Sequence, residues 1–333
     1  MLTKVARPVV RSSSYGHRHA AQTPDQMNSD TSEAFHERKS RHRRGGRRFT
    51  VLGVRCAVGR RNRRPAPRAV SVAVGVDDSR DLWRYGRDWF AASFYDDQEA
   101  DSARTLREAT VIAHEAASGE ELSVIPERAM TPAVEALVNR SKDARMVVLG
   151  SRGLGEFTAG LLGSVTSAVA HHAHSPVAVI REWPRPTDPT AMDNVVVGVD
   201  GSAHSAPAIT MAFEEASLRG ADLIAVHAWS DVTLSTLTAH NEGLPWASIK
   251  AAEQAALAES LAGYSEQYPD VGVTKVVLQD RPLHHLLSYA DSAQLLVVGS
   301  RGRGGFTSML LGSTSTALLH ATECPLLIVR STH

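Results

Sequence analysis

The second half of the chain alternates short apolar, β-branched runs with stretches of helical periodicity. The runs are residues 194–199, 223–227, 273–278, 295–298 and 326–329. Gly, Pro or polar residues bound each of them, as expected of strands buried on both faces. Between them lie helical patterns. Ser202 or Ser205 caps one that runs to Gly220 with Ile209, Ala212, Phe213 and Ala216 inward. A loop with Gly243 and Pro245 leads to a second over about 247–264, and a short third covers 283–290. Strands alternating with helices predict an α/β fold, a doubly wound parallel five-stranded sheet with both faces covered.

The first half carries the same pattern less completely. Residues 98–119 are helical, with Leu106, Ala109, Val111, Ile112 and Ala116 roughly on one face. Residues 122–125 form a short strand, and Thr131-Pro132 starts a helix leading into Val134, Leu137 and Val138. Strands follow at 146–149 and 177–180. Residues 72–77, ending in Asp77, look like the opening strand 195–200, but the spacing fails: Asp77 precedes Gly150 by 73 residues and Asp200 precedes Gly299 by 99. The shortfall is about one strand plus one helix. Either 72–77 is a true first strand in a shortened domain, or the likeness is accidental.

One stretch organises both halves. Gly299-Ser-Arg301-Gly302 opens a segment that ends in Gly312-Ser313-Thr314, just ahead of a helical pattern. The glycines lie where a strand ends and a helix begins, so free N–H groups and the positive helix end favour an anion, and glycine permits close approach. The stretch has the character of a phosphate cradle. It recurs 149 residues earlier as Gly150, Gly153, Gly163 and Ser164. Over 147–181 against 296–330, 16 of 35 positions are identical, Pro176/Pro325 and Arg181/Arg330 among them. A repeat of this length is a duplicated domain.

These residues resemble the universal stress protein family, whose motif is Gly, two residues, Gly, nine residues, then Gly and Ser or Thr. The family's opening strand, ending in Val-Asp-Gly-Ser, is matched by 195–202, with Asp200 and Gly201. The resemblance spans the whole of the second repeat and, in the first, about 97–181. It implies a duplicated Rossmann-like sheet of the universal stress type, its first copy incomplete. It divides the chain into a basic extension over 1–70, a first domain over 71–181, a linker over 182–193 and a second domain over 194–333. It also implies a ligand, ATP, with or without Mg2+. Phosphates would be held around Gly299, Gly302, Gly312, Ser313 and Thr314, with Arg301 or Arg303 adding charge-assisted bonds. Asp200 and Gly201 would position the nucleoside, and backbone near Val226 would meet adenine. In the first repeat the phosphate half, Gly150, Gly153, Gly163 and Ser164, is intact and the nucleoside half is not. The family pairs domains along the last strand. That implies either self-association or intramolecular pairing of 177–180 with 326–329.

Composition narrows the class further. At 333 residues the chain suits two ordinary domains, and a formal net charge of +0 gives no support to a nucleic-acid or membrane role. Arginines nevertheless crowd residues 41–68, and residues 1–70 as a whole are rich in Ser, His and Arg. Apart from the apolar stretch 49–54, residues 1–70 read as an unstructured extension, or as the product of an early start or shifted frame. Two cysteines, Cys56 and Cys324, suit a reducing cytoplasm rather than a disulfide framework. No apolar run reaches the roughly 18 residues of a membrane span. Residues 182–190, rich in proline, form a semi-rigid linker.

Several chemistries lack their residues. The glycines are not followed by Lys-Ser or Lys-Thr as in a Walker loop, and no Gly-x-Ser-x-Gly elbow occurs. His171, His172 and His174 have spacings unsuited to a metal set, and His171 has a counterpart in His320 at a helix end. His227, alone at a strand end, is better explained as hydrogen-bonded scaffolding than as a base. The sequence favours a nucleotide-responsive regulatory module over a catalyst. The alternatives are a ligand-free scaffold for association and, behind it, an ATP-hydrolysing or adenylate-forming enzyme.

Overall fold

Ten strands form one continuous sheet that crosses both repeats. The structure is a computed structural model, and it describes residues 49–55, 68–75, 90–116, 122–129, 131–151, 162–181, 194–229, 246–303 and 310–331. In the second repeat the strands are β6 (Asn194–Val199), β7 (Asp222–Trp229), β8 (Val273–Gln279), β9 (Ala293–Gly299) and β10 (Leu326–Val329). In the first they are β1 (Phe49–Arg55), β2 (Arg68–Gly75), β3 (Leu122–Ala129), β4 (Met146–Gly150) and β5 (Val177–Ile180). The order across the sheet is β3-β2-β1-β4-β5-β10-β9-β6-β7-β8.

The second repeat follows its pattern closely. All its neighbouring strands run parallel, with β9 and β6 at the centre. The helices are α4 (Ala206–Arg219), α5 (Trp246–Ser260), a single turn α6 (Tyr264–Gln267), α7 (Pro282–Ala290) and α8 (Ser313–Ala321). The helix expected over 247–264 stops sooner, because Gly263 takes a left-handed φ of 79° and breaks the axis. Ile209, Ala212, Phe213 and Ala216 of α4 all face inward and are buried, and Gly220 ends the helix in the left-handed region. Neither Ser202 nor Ser205 caps this helix through its side chain, because both hydroxyls turn back to Asp200 instead.

Alternate residues of the strands feed two cores. One lies against α7, α8 and their first-repeat counterparts α2 (Ala133–Arg140) and α3 (Ser164–His172), gathering Val147, Val177, Val196, Leu296, Leu326 and Ile328. The other lies against α4 and α5 and gathers Val195, Val197, Leu223, Leu295 and Leu327. The first core runs unbroken from one repeat into the other.

The first repeat departs from the second at one place. Residues 72–75, the expected opening strand, belong to β2, which occupies the slot that β7 fills in the second repeat. The first-strand slot is taken by β1, which runs antiparallel to both β2 and β4. Thus 49–55, within the stretch assigned to an extension, lies in the sheet. The reason is chain length. A parallel crossover needs a helix-length connection, such as the 14-residue α4 between β6 and β7. Only residues 56–67 join β1 to β2, so the adjacent strands pair as antiparallel neighbours. The helix α1 (Phe90–Ala116) then connects β2 to β3, as α5 connects β7 to β8. Among the described residues the repeat shows neither a parallel first strand nor a first helix of its own. Asp77 lies outside the described residues.

The repeats meet along their last strands. β5 and β10 pair antiparallel, with Leu327 opposite Ala178 at the centre. Those two residues occupy the same position of the repeat, so the join is a pseudo-twofold inside one chain. A second tie is the ion pair of Arg145 with Glu214 of α4.

Candidate functional site

The carboxyl ends of β6 and β9 lie side by side, and the residues that follow them meet. Asp200 leaves β6 and folds over its own turn. Its Oδ1 accepts from the Ser202 N–H at 2.9 Å, from the Ser202 hydroxyl at 2.8 Å and from the Ser205 hydroxyl. Gly201 makes this turn at φ 73°, a conformation that strains any side-chain-bearing residue. Burial pushes the Asp200 carboxyl up, but the bonds from Ser205 and Ser202 outweigh it and hold the group below the usual carboxylate range. The main-chain N–H of Arg303 adds to that lowering without reaching the geometry of a hydrogen bond. Oδ2 is buried without a hydrogen-bond partner.

Gly302 closes against that orphan oxygen. A Cβ at Gly302 would stand 2.9 Å from Asp200 Oδ2, so a side chain here would drive the loop off the carboxylate. The loop is pinned at its base by three bonds. Ser300 N–H donates to the Val329 carbonyl at 2.7 Å, Gly312 N–H donates to the Ser300 carbonyl at 2.7 Å, and the Ser315 hydroxyl donates to the Gly299 carbonyl at 2.7 Å. Gly312 is extended and precedes α8, whose first residues Ser313 and Thr314 present main-chain N–H groups that the helix does not use. The structure therefore brings Asp200, Gly201, Gly299, Gly302, Gly312, Ser313 and Thr314 to one end of the sheet.

The other expected residues fall nearby with differences. Val226 is buried in the core and pairs with Gly198, one step inward from the end of β6. The residue level with Val199 is His227. Its Nδ1–H donates to the Val199 carbonyl at 2.8 Å, and its Nε2 lies 2.7 Å from Oε2 of Glu253 on α5. Sequence reasoning saw His227 as scaffolding and missed Glu253, since nothing at a distance of 26 residues signals the pairing. Arg301 lies near Arg330, whose guanidinium is lowered by burial and then by the Arg301 charge. Arg330 donates to the carbonyls of Leu310 at 2.8 Å and Ala170 at 2.6 Å, tying the glycine loop to α3 of the other repeat.

The first repeat reproduces the base of the cradle. Gly163 N–H donates to the Ser151 carbonyl at 2.8 Å, and the Thr166 hydroxyl to the Gly150 carbonyl at 2.8 Å, with Ser164 opening α3. Gly153 lies outside the described residues. The reversed β1 places no counterpart of Asp200 at a strand's carboxyl end beside this cradle. His171 does not join its neighbours in a cluster; Nδ1–H donates to the Ser167 carbonyl at 2.7 Å within its own helix. Among the described residues no group of three or more His, Cys, Asp or Glu could hold a metal ion, and no helix is long and apolar enough to cross a membrane.

The Universal stress protein family profile matches residues 72–181 and 192–330. The chain belongs to the universal stress protein family. A universal stress protein of Mycobacterium tuberculosis strain H37Rv is 45% identical over 234 residues, covering 70% of this chain and 78% of the relative. A second from the same strain is 44% identical over 233 residues, covering 69% and 73%. Among solved structures, a universal stress protein from Archaeoglobus fulgidus DSM 4304 shares the fold with a TM-score of 0.51 and 23% identity. That match covers 75% of this chain and 82% of the other. The two-domain arrangement agrees with the double family match.

Proposed function

We propose that this universal stress protein is a cytoplasmic, nucleotide-responsive regulatory module that binds ATP, with or without Mg2+, in its second repeat. The observation that carries this is the meeting of Asp200 and Gly302. A buried carboxylate oxygen without a partner faces a loop that only glycine allows to close. Such an oxygen suits a ribose hydroxyl, and the N–H groups of Ser313 and Thr314, which the helix does not use, suit phosphate oxygens. The residues present therefore fit a nucleotide.

The first repeat, by this reading, is a structural partner. Its cradle base is folded, but β1 runs the wrong way to deliver an aspartate. One ATP per chain is expected. Calorimetric titration of the full chain with ATP tests this, beside Gly302→Asp. The substitution sets a carboxylate against Asp200 and the phosphates, so binding should be lost while the fold, followed by circular dichroism, persists. If the unaltered chain binds no adenine nucleotide, the reading fails. The antiparallel join of β5 and β10 then favours the second reading, a ligand-free scaffold for association.

A further inference from the structure

Arg303 connects the two halves of the pocket in a way that the cradle does not require. Its side chain, about half exposed, lies over Gly201. A methyl group on that glycine would stand 2.5 Å from Nη2 and 3.5 Å from Cζ. Beyond Gly201 the same Nη2 reaches Oε2 of Glu253 at 3.5 Å. Glu253 is fixed from behind, because Oε2 lies 2.7 Å from Nε2 of His227, and that imidazole is buried and anchored on the Val199 carbonyl. A guanidinium is thus held across the end of β6, next to Asp200 and Gly302, by a carboxylate on α5. That helix takes no part in the cradle.

We infer that Arg303 and its partner Glu253 determine specificity at this site, admitting nucleoside phosphates in preference to uncharged nucleosides. The inference rests on the nucleotide reading above and adds the class of ligand the site selects. A nucleoside settling at Asp200 and Gly201 must displace the guanidinium from Glu253 and offers it no charge in return. A nucleotide displaces it too, but its phosphates arrive at Gly302, one residue away, and accept charge-assisted bonds from the same guanidinium. The exchange of one carboxylate for a phosphate oxygen is close to balanced for the nucleotide and a net loss for the nucleoside. His227 is a positioning residue here: it holds Glu253 in reach of Arg303.

The test is calorimetric titration of the full chain with ATP and with adenosine, comparing the unaltered protein, Arg303→Gln and Glu253→Gln. With Arg303→Gln the two ligands should move in opposite directions. Adenosine tightens by about two- to five-fold, the range for a partly exposed ion pair, and ATP weakens by about ten-fold, as for a lost charge-assisted bond. Glu253→Gln keeps a side-chain oxygen for His227 and should tighten adenosine by a similar two- to five-fold. A purely structural role would instead weaken both ligands in both variants. That outcome, or adenosine affinity that fails to rise with Arg303→Gln while ATP still binds the unaltered chain, overturns the inference. An unaltered chain that binds neither ligand overturns the nucleotide reading itself, and the two failures are told apart by the ATP titration alone.

Discussion

Arg181 and Arg330 clamp the two repeats reciprocally. Arg181, just past β5, donates to the Leu319 carbonyl at 2.8 Å near the end of α8. Arg330, just past β10, donates to the Ala170 carbonyl at 2.6 Å near the end of α3. Each arginine occupies the same position of its repeat, and so do the two carbonyls. A cation at the negative end of a helix is favoured by both the hydrogen bond and the dipole.

This clamp makes the join between repeats depend on two side chains. Arg330→Ala should destabilise the protein by about 1–2 kcal/mol, since one of its charged hydrogen bonds is partly buried and the other is open to water. Arg181→Ala should cost a similar amount, since it too has one partly buried bond and one exposed bond. Urea unfolding followed by circular dichroism measures both. A change below about 0.5 kcal/mol for Arg330→Ala would be the range of an ordinary surface substitution and would remove the clamp from the account.

The Asp200 carboxyl gives the protein an acid-sensitive element. Its folded pKa is lowered beneath the ordinary aspartate value of 3.8, so the stabilisation it contributes is present above that value. It is lost as pH falls through the folded value. Stability measured between pH 3 and 7 should therefore decline more steeply at the acid end in the unaltered protein than in Asp200→Asn, which carries no titrating group there. Parallel acid limbs would show that the Ser202 and Ser205 bonds do not favour the ionised form.

Cys324 behaves in the opposite sense. It is buried, its thiol donates to the Ala293 carbonyl at 3.3 Å, and burial pushes its pKa up from 9.0 to about 12. Its contribution to stability is complete below the unfolded value and is lost as pH rises toward the folded one. In a Cys56→Ser background, alkylation of Cys324 at pH 8 should be about a thousand-fold slower in the native protein than in denaturant, from thiolate fraction alone. Similar rates in both states would show the site to be open.

Periodicity and local chemistry determined much of this protein. The strand runs of 194–329 and the inward face of α4 are local patterns, and each is found where the sequence puts it. Tertiary structure decided the rest. Residues 72–75 have the composition of an opening strand, but their place in the sheet depends on how much chain is available to cross over, and they take the second slot. Ser202 and Ser205 look like helix caps, but their hydroxyls turn to donate to the Asp200 carboxylate nearby instead of accepting from a helix N–H. Glu253 has no local mark at all. It reaches His227 and Arg303 because α5 packs across β7 with one rotation about its axis, and that rotation is set by core contacts such as Leu257 rather than by any residue in the site. Sequence fixes what a segment prefers to be. Which distant side chains meet depends on the packing of whole elements, and that is a property of the folded chain.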